Sequence, residues 1–491
     1  MNGLPAARWR ARDIARGVAA GELSATEAAQ AVLARVERLN PHLGALVDVD
    51  AEGALAQAAA IDARARRGER LPLMGVPFTV KDNLWVKGRP ATYGSRLYAG
   101  HRAPRDSWAV ARLKAMGAVC IGITNTPEFA CKGMTDNPLH GITRNPWDVR
   151  LTPGGSSGGA AAAVAAGLGP LALGTDAGGS TRRPAAHTGL AGFKCTLGLI
   201  PDPWGFDDAS HDLSSIGVLA RDVQDCALAL DVLARHDPAD PRSHPLPAPL
   251  DRPSAFSAAL AAGPARGWRI AWTPDLGCGF AVDDDVAAPL AHAVQALRAD
   301  GWAIDDARPQ WPAGTFEYPL LARQQAGLAA LFGTAWRDTP HLLDPDLGAQ
   351  IEAGLRLSGG EVAGLDFARN RLRGALAQFF QSYDLLLCPT VPVEPWPCDG
   401  PPPARIGGRA ATGRGHAAFT PLFNYADVPA LSVPCGFGAR GLPLGLQIVG
   451  PRYADDRVLA FGAHVQSILD LAMDSPMILD LPGACATEAC R

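Results

Sequence analysis

Residues 151–175 (LTPGGSSGGAAAAVAAGLGPLALGT) carry no charge over a length that could in principle cross a bilayer. Most of the run is Gly, Ala, Ser and Pro, whose transfer into lipid gains little, and Gly and Pro interrupt helical continuity. The run therefore reads as a loop and a helix buried inside a globular protein. Burying it requires a large core around it, which a chain of 491 residues, 47% hydrophobic and 19% charged, is able to form.

The flanking sequence supports an α/β organisation. Residues 10–39 show helical spacing broken near Gly21–Ser24, where Ser24 and Glu27 resemble a capping box, so two helices are expected, with a third over 52–67. The run 74–80 reads as a short buried strand leading to Lys81. A helix over 107–117 and a strand over 119–123 continue the alternation, and an Ala-rich helix over 159–167 follows a Gly/Ser loop. Further on, the pattern predicts a helix at 222–235, a Pro- and Asp-rich loop at 236–254, a strand at 268–273, a helix at 284–299 and a strand near 302–305. Residues 312–382 read as mainly helical, a possible cap, and strands are expected at 385–388, 430–433 and 446–449.

Charge and cysteine usage narrow the partners. A net charge of -4 offers no broad basic field for nucleic acid or an anionic membrane surface, which leaves small molecules as the expected ligands. The ten cysteines form no C-x-x-C pair and no zinc-type spacing, and are expected to be reduced in a cytoplasmic protein. The first residues lack the apolar core of an export signal. No phosphate loop, dinucleotide fingerprint or H-E-x-x-H motif is present, so neither a cofactor nor a metal is expected. Arginine carries almost all the positive charge, and only Lys81, Lys87, Lys114, Lys132 and Lys194 are lysines. A site that needs a neutral amine must keep lysine, because a guanidinium does not lose its proton in a protein. Lys81, directly after a buried strand, is the candidate for such a site.

Two glycine-rich turns end on serines: Gly154-Gly155-Ser156-Ser157-Gly158-Gly159 and Gly174-Thr175-Asp176-Ala177-Gly178-Gly179-Ser180. Such turns let backbone N–H groups converge on a ligand without obstruction by side chains. The ordered set formed by these turns, the 75–82 run, Thr124–Phe129, Gly141–Trp147, Gly192-Phe193-Lys194, 383–390 and 441–450 resembles the amidase-signature family over most of the chain. The resemblance implies one α/β domain over 1–491, built on a large central mixed, mostly parallel β-sheet with helices on both faces. It also implies an amidase that forms an acyl-enzyme, with Ser180 as nucleophile, Ser156 as a bridging serine on a cis peptide and Lys81 as general base. The N–H groups of Ala177, Gly178, Gly179 and Ser180 would form the oxyanion hole. The implied substrates are small amides, esters or carbamates, cleaved by a monomer or homodimer.

Other readings stay open at this stage. Ala160, Ala177 and Cys195 depart from the common family pattern, which weakens any transfer of substrate from a specific relative. Arg182 and Arg183 flank Ser180, and an ion pair with Asp176 or Asp208 is favoured over a substrate contact. Gly154–Gly158 also satisfies G-x-S-x-G, which would make Ser156 the nucleophile of an α/β-hydrolase with His187 or His211 as base, although the turn-like run 145–153 does not supply the required strand. The glutamine-hydrolysing component of a tRNA-dependent amidotransferase resembles the chain in the same motifs. A scaffold protein is disfavoured by the presence of Lys81, Ser156 and Ser180 together. Trp204, Phe206, Phe316, Tyr318, Leu320, Leu321 and Phe332 could line an apolar cleft or belong to the core.

Overall fold

A computed structural model describes residues 6–316, 319 and 321–479. Eleven strands form its one large sheet. In chain order they are β1 (Leu46–Val49), β2 (Pro77–Lys81), β3 (Val119–Thr124), β4 (Leu171–Asp176), β5 (Ala191–Lys194) and β6 (Ser215–Ala220). They continue as β7 (Ile270–Trp272), β8 (Ile304–Asp306), β9 (Leu385–Pro389), β10 (Ala430–Phe437) and β11 (Pro443–Val449). Across the sheet the order is β1-β3-β2-β4-β6-β5-β10-β11-β9-β7-β8.

The sheet is mixed, and its parallel pairing lies towards the two flanks. β3, β2 and β4 run parallel on one side, and β9, β7 and β8 on the other. Between them, from β4 to β9, every ladder is antiparallel, and β1 adds an antiparallel edge. Connection length explains the centre. β10 and β11 are joined by only residues 438–442, and a short hairpin can close only an antiparallel pair.

Helices cover both faces. Along β4, Leu171 and Leu173 enter the main core, whereas Ala172 between them enters a second cluster with Ala160, Ala161 and Val164. This is the two-residue alternation of a strand buried on both sides. The uncharged run is accounted for in the same way, since the helix Gly158–Ala165 is buried at every residue and lies inside the protein. Among the described residues no helix is long and apolar enough to cross a membrane.

Most expected elements recur with boundaries moved by one to three residues. The two N-terminal helices are Ala11–Ala20 and Ala25–Leu43, and the capping box of Ser24 and Glu27 is formed. The 236–254 loop follows the helix Val223–Leu233 and leads into the helix Ala255–Ala262, which precedes β7 of the same sheet. Within 312–382 the helices are Leu321–Asp338, Pro345–Leu355 and Gly359–Phe379. The first two contribute Leu328, Phe332, Leu347 and Ile351 to a separate apolar cluster with Tyr93, Phe129 and Ala209. Contact there is close, because a Cβ on Gly327 would lie 1.9 Å from the Ala209 carbonyl oxygen. Ion pairs add to it, with Lys132 Nζ 2.6 Å from Asp344 and 3.1 Å from Asp346.

Candidate active site

Lys81 ends β2 in the middle of the parallel flank and has no exposed surface. The register that sets Val80 beside Leu173 carries Thr175 towards the lysine. Lys81 Nζ lies 2.7 Å from Ser156 Oγ and 3.0 Å from Thr175 Oγ1. Thr175 Oγ1 also accepts from Asn83 Nδ2 at 3.0 Å. Burial pulls the amine down from its ordinary 10.5 to about 7, although the nearby carboxylates of Asp208 and Asp176 favour its charged form. Near neutral pH it is therefore divided between donor and acceptor forms.

Ser156 lies in the turn leading into the helix Gly158–Ala165, after a cis peptide from Gly155. That turn tolerates no side chain at 155, where a Cβ would approach both Met134 N and O to 2.7 Å. Ser180 lies in the turn after β4. The Ser157 N–H donates to the Ser180 carbonyl at 3.0 Å, which ties the two serine turns together. Ser156 is fully buried, whereas Ser180 keeps 7% of its surface exposed, so of the two only Ser180 is open to an incoming molecule.

Asp176 organises the second turn. Its carboxylate accepts from the N–H of Gly179 at 2.6 Å and of Thr181 at 3.1 Å. Among the described residues the N–H groups of Ala177, Gly178 and Ser180 have no protein acceptor. Four N–H groups were expected to converge on an oxyanion. Three are free to do so, and that of Gly179 is committed to Asp176, whose bond shapes the turn.

The arginines after Ser180 face inward. Arg182 and Asp176 form an ion pair at 2.8 Å with no exposed side-chain surface, as the structural reading of Arg182 anticipated. Arg182 also donates to Gln447 Oε1 at 2.7 Å, Asn424 Oδ1 at 2.6 Å and the Thr420 carbonyl at 3.1 Å. Burial alone would raise the Asp176 carboxyl, but Arg182 and Asn424 outweigh it and hold the group well below the carboxylate range. Arg183 reaches the carbonyls of Gly178 and Gly155, one in each serine turn. Removing one partner of a buried pair leaves the other charge uncompensated. Arg182→Leu is accordingly expected to lower unfolding stability by about 3–5 kcal/mol at neutral pH, measured by urea titration.

The histidine-based alternative finds no machinery. Residues 152–154, before Ser156, form no strand. His187 is buried next to Gly154, but burial pushes its imidazole down to about 3, and among the described residues neither ring nitrogen has a side-chain partner of the kind that orients a catalytic base. The side chain of His211 lies outside the described residues. Eight cysteines are free thiols, and Cys485 and Cys490 lie outside the described residues. Among the described residues no group of three or more His, Cys, Asp or Glu side chains is placed to hold a metal.

A cavity of about 540 Å³ reaches Thr175 and Asn83 and is lined in part by Trp204 and Phe206. Phe316 and Leu321 line a second cavity of about 620 Å³. Phe332 belongs to the core, stacked on Phe129 with ring centroids 3.8 Å apart, and Tyr318 and Leu320 lie outside the described residues. Sequence reasoning passed over Thr175, Asn83 and Asp208 around the lysine. Thr175 stands inside the 174–180 motif and was within reach of sequence alone, but nothing in the sequence relates Asp208 to Lys81.

The family model "Amidase" matches residues 27–459. The chain is 36% identical over 481 residues to an acylamidase of Rhodococcus erythropolis, covering 95% of this chain and 96% of that protein. It is also 36% identical over 476 residues to a glutamyl-tRNA(Gln) amidotransferase component of Chloroflexus aggregans, covering 92% of this chain and 95% of that one. Among solved structures, a bacterial aryl acylamidase of the amidase signature family superposes with a TM-score of 0.88 at 28% identity, covering 96% of this chain and 99% of that one. With a family match over most of its length and relatives above a third identical along nearly all of it, the chain belongs to the Amidase family.

Proposed function

We propose that this chain is a serine amidohydrolase that cleaves the C–N bond of a small carboxamide, anilide or carbamate, with Ser180 as nucleophile, Ser156 as relay and Lys81 as general base. The observation that carries the reading is the 2.7 Å contact of Lys81 Nζ with the Ser156 hydroxyl, made by an amine that burial brings to about 7, so that a substantial neutral fraction exists near neutral pH. Neutral Lys81 takes the Ser156 proton as Ser156 takes that of Ser180, and Ser180 Oγ bonds to the substrate carbonyl carbon. The oxyanion that forms is stabilised by the N–H groups of Ala177, Gly178 and Ser180. Protonated Lys81 returns its proton through Ser156 to the departing nitrogen, the C–N bond breaks, and an acyl group remains on Ser180. Water, deprotonated along the same relay, then releases the acid.

Residues 1–491 act as one amidase-signature domain, and the helices within 312–382 serve as a cap over the substrate cavity, to which Ala330 and Leu331 contribute wall. The protein works in the cytoplasm as a monomer or homodimer. Supporting the hydrolase assignment, the Rhodococcus relative is named an acylamidase.

A serine-directed fluorophosphonate tests the assignment. The expected adduct is on Ser180 alone, located by peptide mass spectrometry. Labelling of Ser156 in its place would overturn the assignment. The equally similar amidotransferase relative supports a second reading, in which the chain releases ammonia from glutamine for a partner protein. Hydrolysis of simple anilides by the purified chain alone decides between them, because a component of that kind depends on its partner.

A further inference from the structure

The 540 Å³ cavity reaches Thr175, which accepts from Lys81 Nζ, and Asn83, which donates to the same Thr175 hydroxyl. Asp202, Asp207 and Asp208, all from the loop after β5, line its wall. None of the three is in a salt bridge among the described residues. Arg242 shares the wall, bonded to Asp240 at 3.1 Å and to the Asp202 carbonyl at 2.8 Å, and its charge also acts on Asp202 and Asp208. Three carboxyl groups against one guanidinium, itself shared with Asp240, leave the cavity wall with an excess of negative groups, although burial pushes the Asp202 carboxyl up to about 6.

Two further features indicate what would balance it. Trp204 and Phe206 add aromatic surface, and Trp204 already takes one cation, the Arg105 guanidinium, 5.2 Å from its ring centroid. Ser107, only 1% exposed, also lines the cavity, and among the described residues its hydroxyl has no hydrogen-bond partner. A buried hydroxyl left unpaired in a polar cavity is a position for a ligand group that donates to it. Carboxylates, aromatic surface and an open acceptor are together suited to an alkylammonium or guanidinium group.

We propose that the amide substrate carries a positive charge, held against Asp202, Asp207 and Asp208 beside Trp204 and Phe206, while its carbonyl lies at Ser180. This rests on the amidohydrolase reading and narrows it to cationic amides. Asp208 and Asp207 are the specificity-determining residues. Attraction between an ammonium and partly exposed carboxylates is screened by salt, so the preference is strongest at low ionic strength.

Two p-nitrophenyl alkylphosphonates of equal chain length, one ending in an ammonium and the other in a methyl group, provide the test through their rates of Ser180 phosphonylation. Wild-type enzyme is expected to react about tenfold faster with the cationic probe at low salt. That ratio should fall towards one in Asp208→Asn, in Asp207→Asn and in high salt. Asp208 also acts on Lys81, but that effect reaches both probes alike and cancels in the ratio. Equal rates, or a faster neutral probe, with Ser180 labelled would overturn the cationic substrate and leave the hydrolase standing. Absence of any Ser180 adduct from either probe would overturn both.

Discussion

Lys81→Arg is expected to lose nearly as much activity as Lys81→Ala, about 10³-fold in kcat/KM, although it keeps the positive charge. The reason is the proton. Lys81 has no exposed surface, and burial brings its amine to about 7, so a substantial neutral fraction exists at physiological pH, whereas a guanidinium stays charged under the same burial. The pH dependence carries a definite sign. A base acts in its deprotonated form, so kcat/KM should be low below pH 7, rise as the pH passes about 7 and reach an alkaline plateau. If the lysine acted only as a fixed charge, Lys81→Arg would retain most activity and the rate would fall as the pH rose. Circular dichroism and melting of both variants establish that the larger side chain has not disrupted the fold. With that control, Lys81→Arg activity within about tenfold of wild type would rule out the general base.

The two serines should differ sharply in what their removal costs. Ser180→Ala removes the atom that forms the covalent bond and is expected to lower kcat by about 10⁴-fold or more, leaving what the oxyanion donors and binding provide. Ser156→Ala removes a relay rather than a reactant, so Ser180 should still be acylated slowly by an activated ester. Lys81, Ser156 and Ser180 move one proton between them, and their effects should not add. The double variant Lys81→Ala/Ser156→Ala is expected to be no slower than Lys81→Ala by more than a few fold. Burst kinetics with a p-nitrophenyl ester separate acylation from turnover. An acyl burst in Ser180→Ala equal to that of wild type would place the nucleophile elsewhere.

Much of this architecture was legible in the chain, for reasons that can be located. The capping box at Ser24 and Glu27 involves residues three apart, and it forms as read. The helix at 284–299 and strands such as Leu385–Pro389 are strongly patterned and were placed closely. Pairing was harder to read, because β4 lies between β2 and β6 although about ninety residues of chain separate it from β2. The antiparallel centre follows from which strands meet, and local hydrophobic pattern does not encode that. The aromatic residues show the same limit. Phe206 and Phe332 look alike in sequence, yet one lines the cavity and the other stacks inside the core on Phe129.

What the sequence determined by itself was the chemical inventory: a lysine kept in an arginine-rich chain and two glycine turns ending on serine, in an order shared with one family. Glycine and lysine are legible in this way because their roles depend on intrinsic properties, backbone freedom in one case and a removable proton in the other. Tertiary structure decided which of the buried groups could react. Lys194 is nearly as deeply buried as Lys81, but it donates to two carbonyls, Cys195 O at 2.7 Å and Val428 O at 2.8 Å, which accept hydrogen bonds and have no proton to give. Lys81 faces two hydroxyls, which can do both. Tertiary structure likewise left Ser180 open and closed Ser156, and turned Arg182 inward onto Asp176. Burial and partner identity are set by segments far apart in the chain, and reactivity follows from those two quantities more than from residue type.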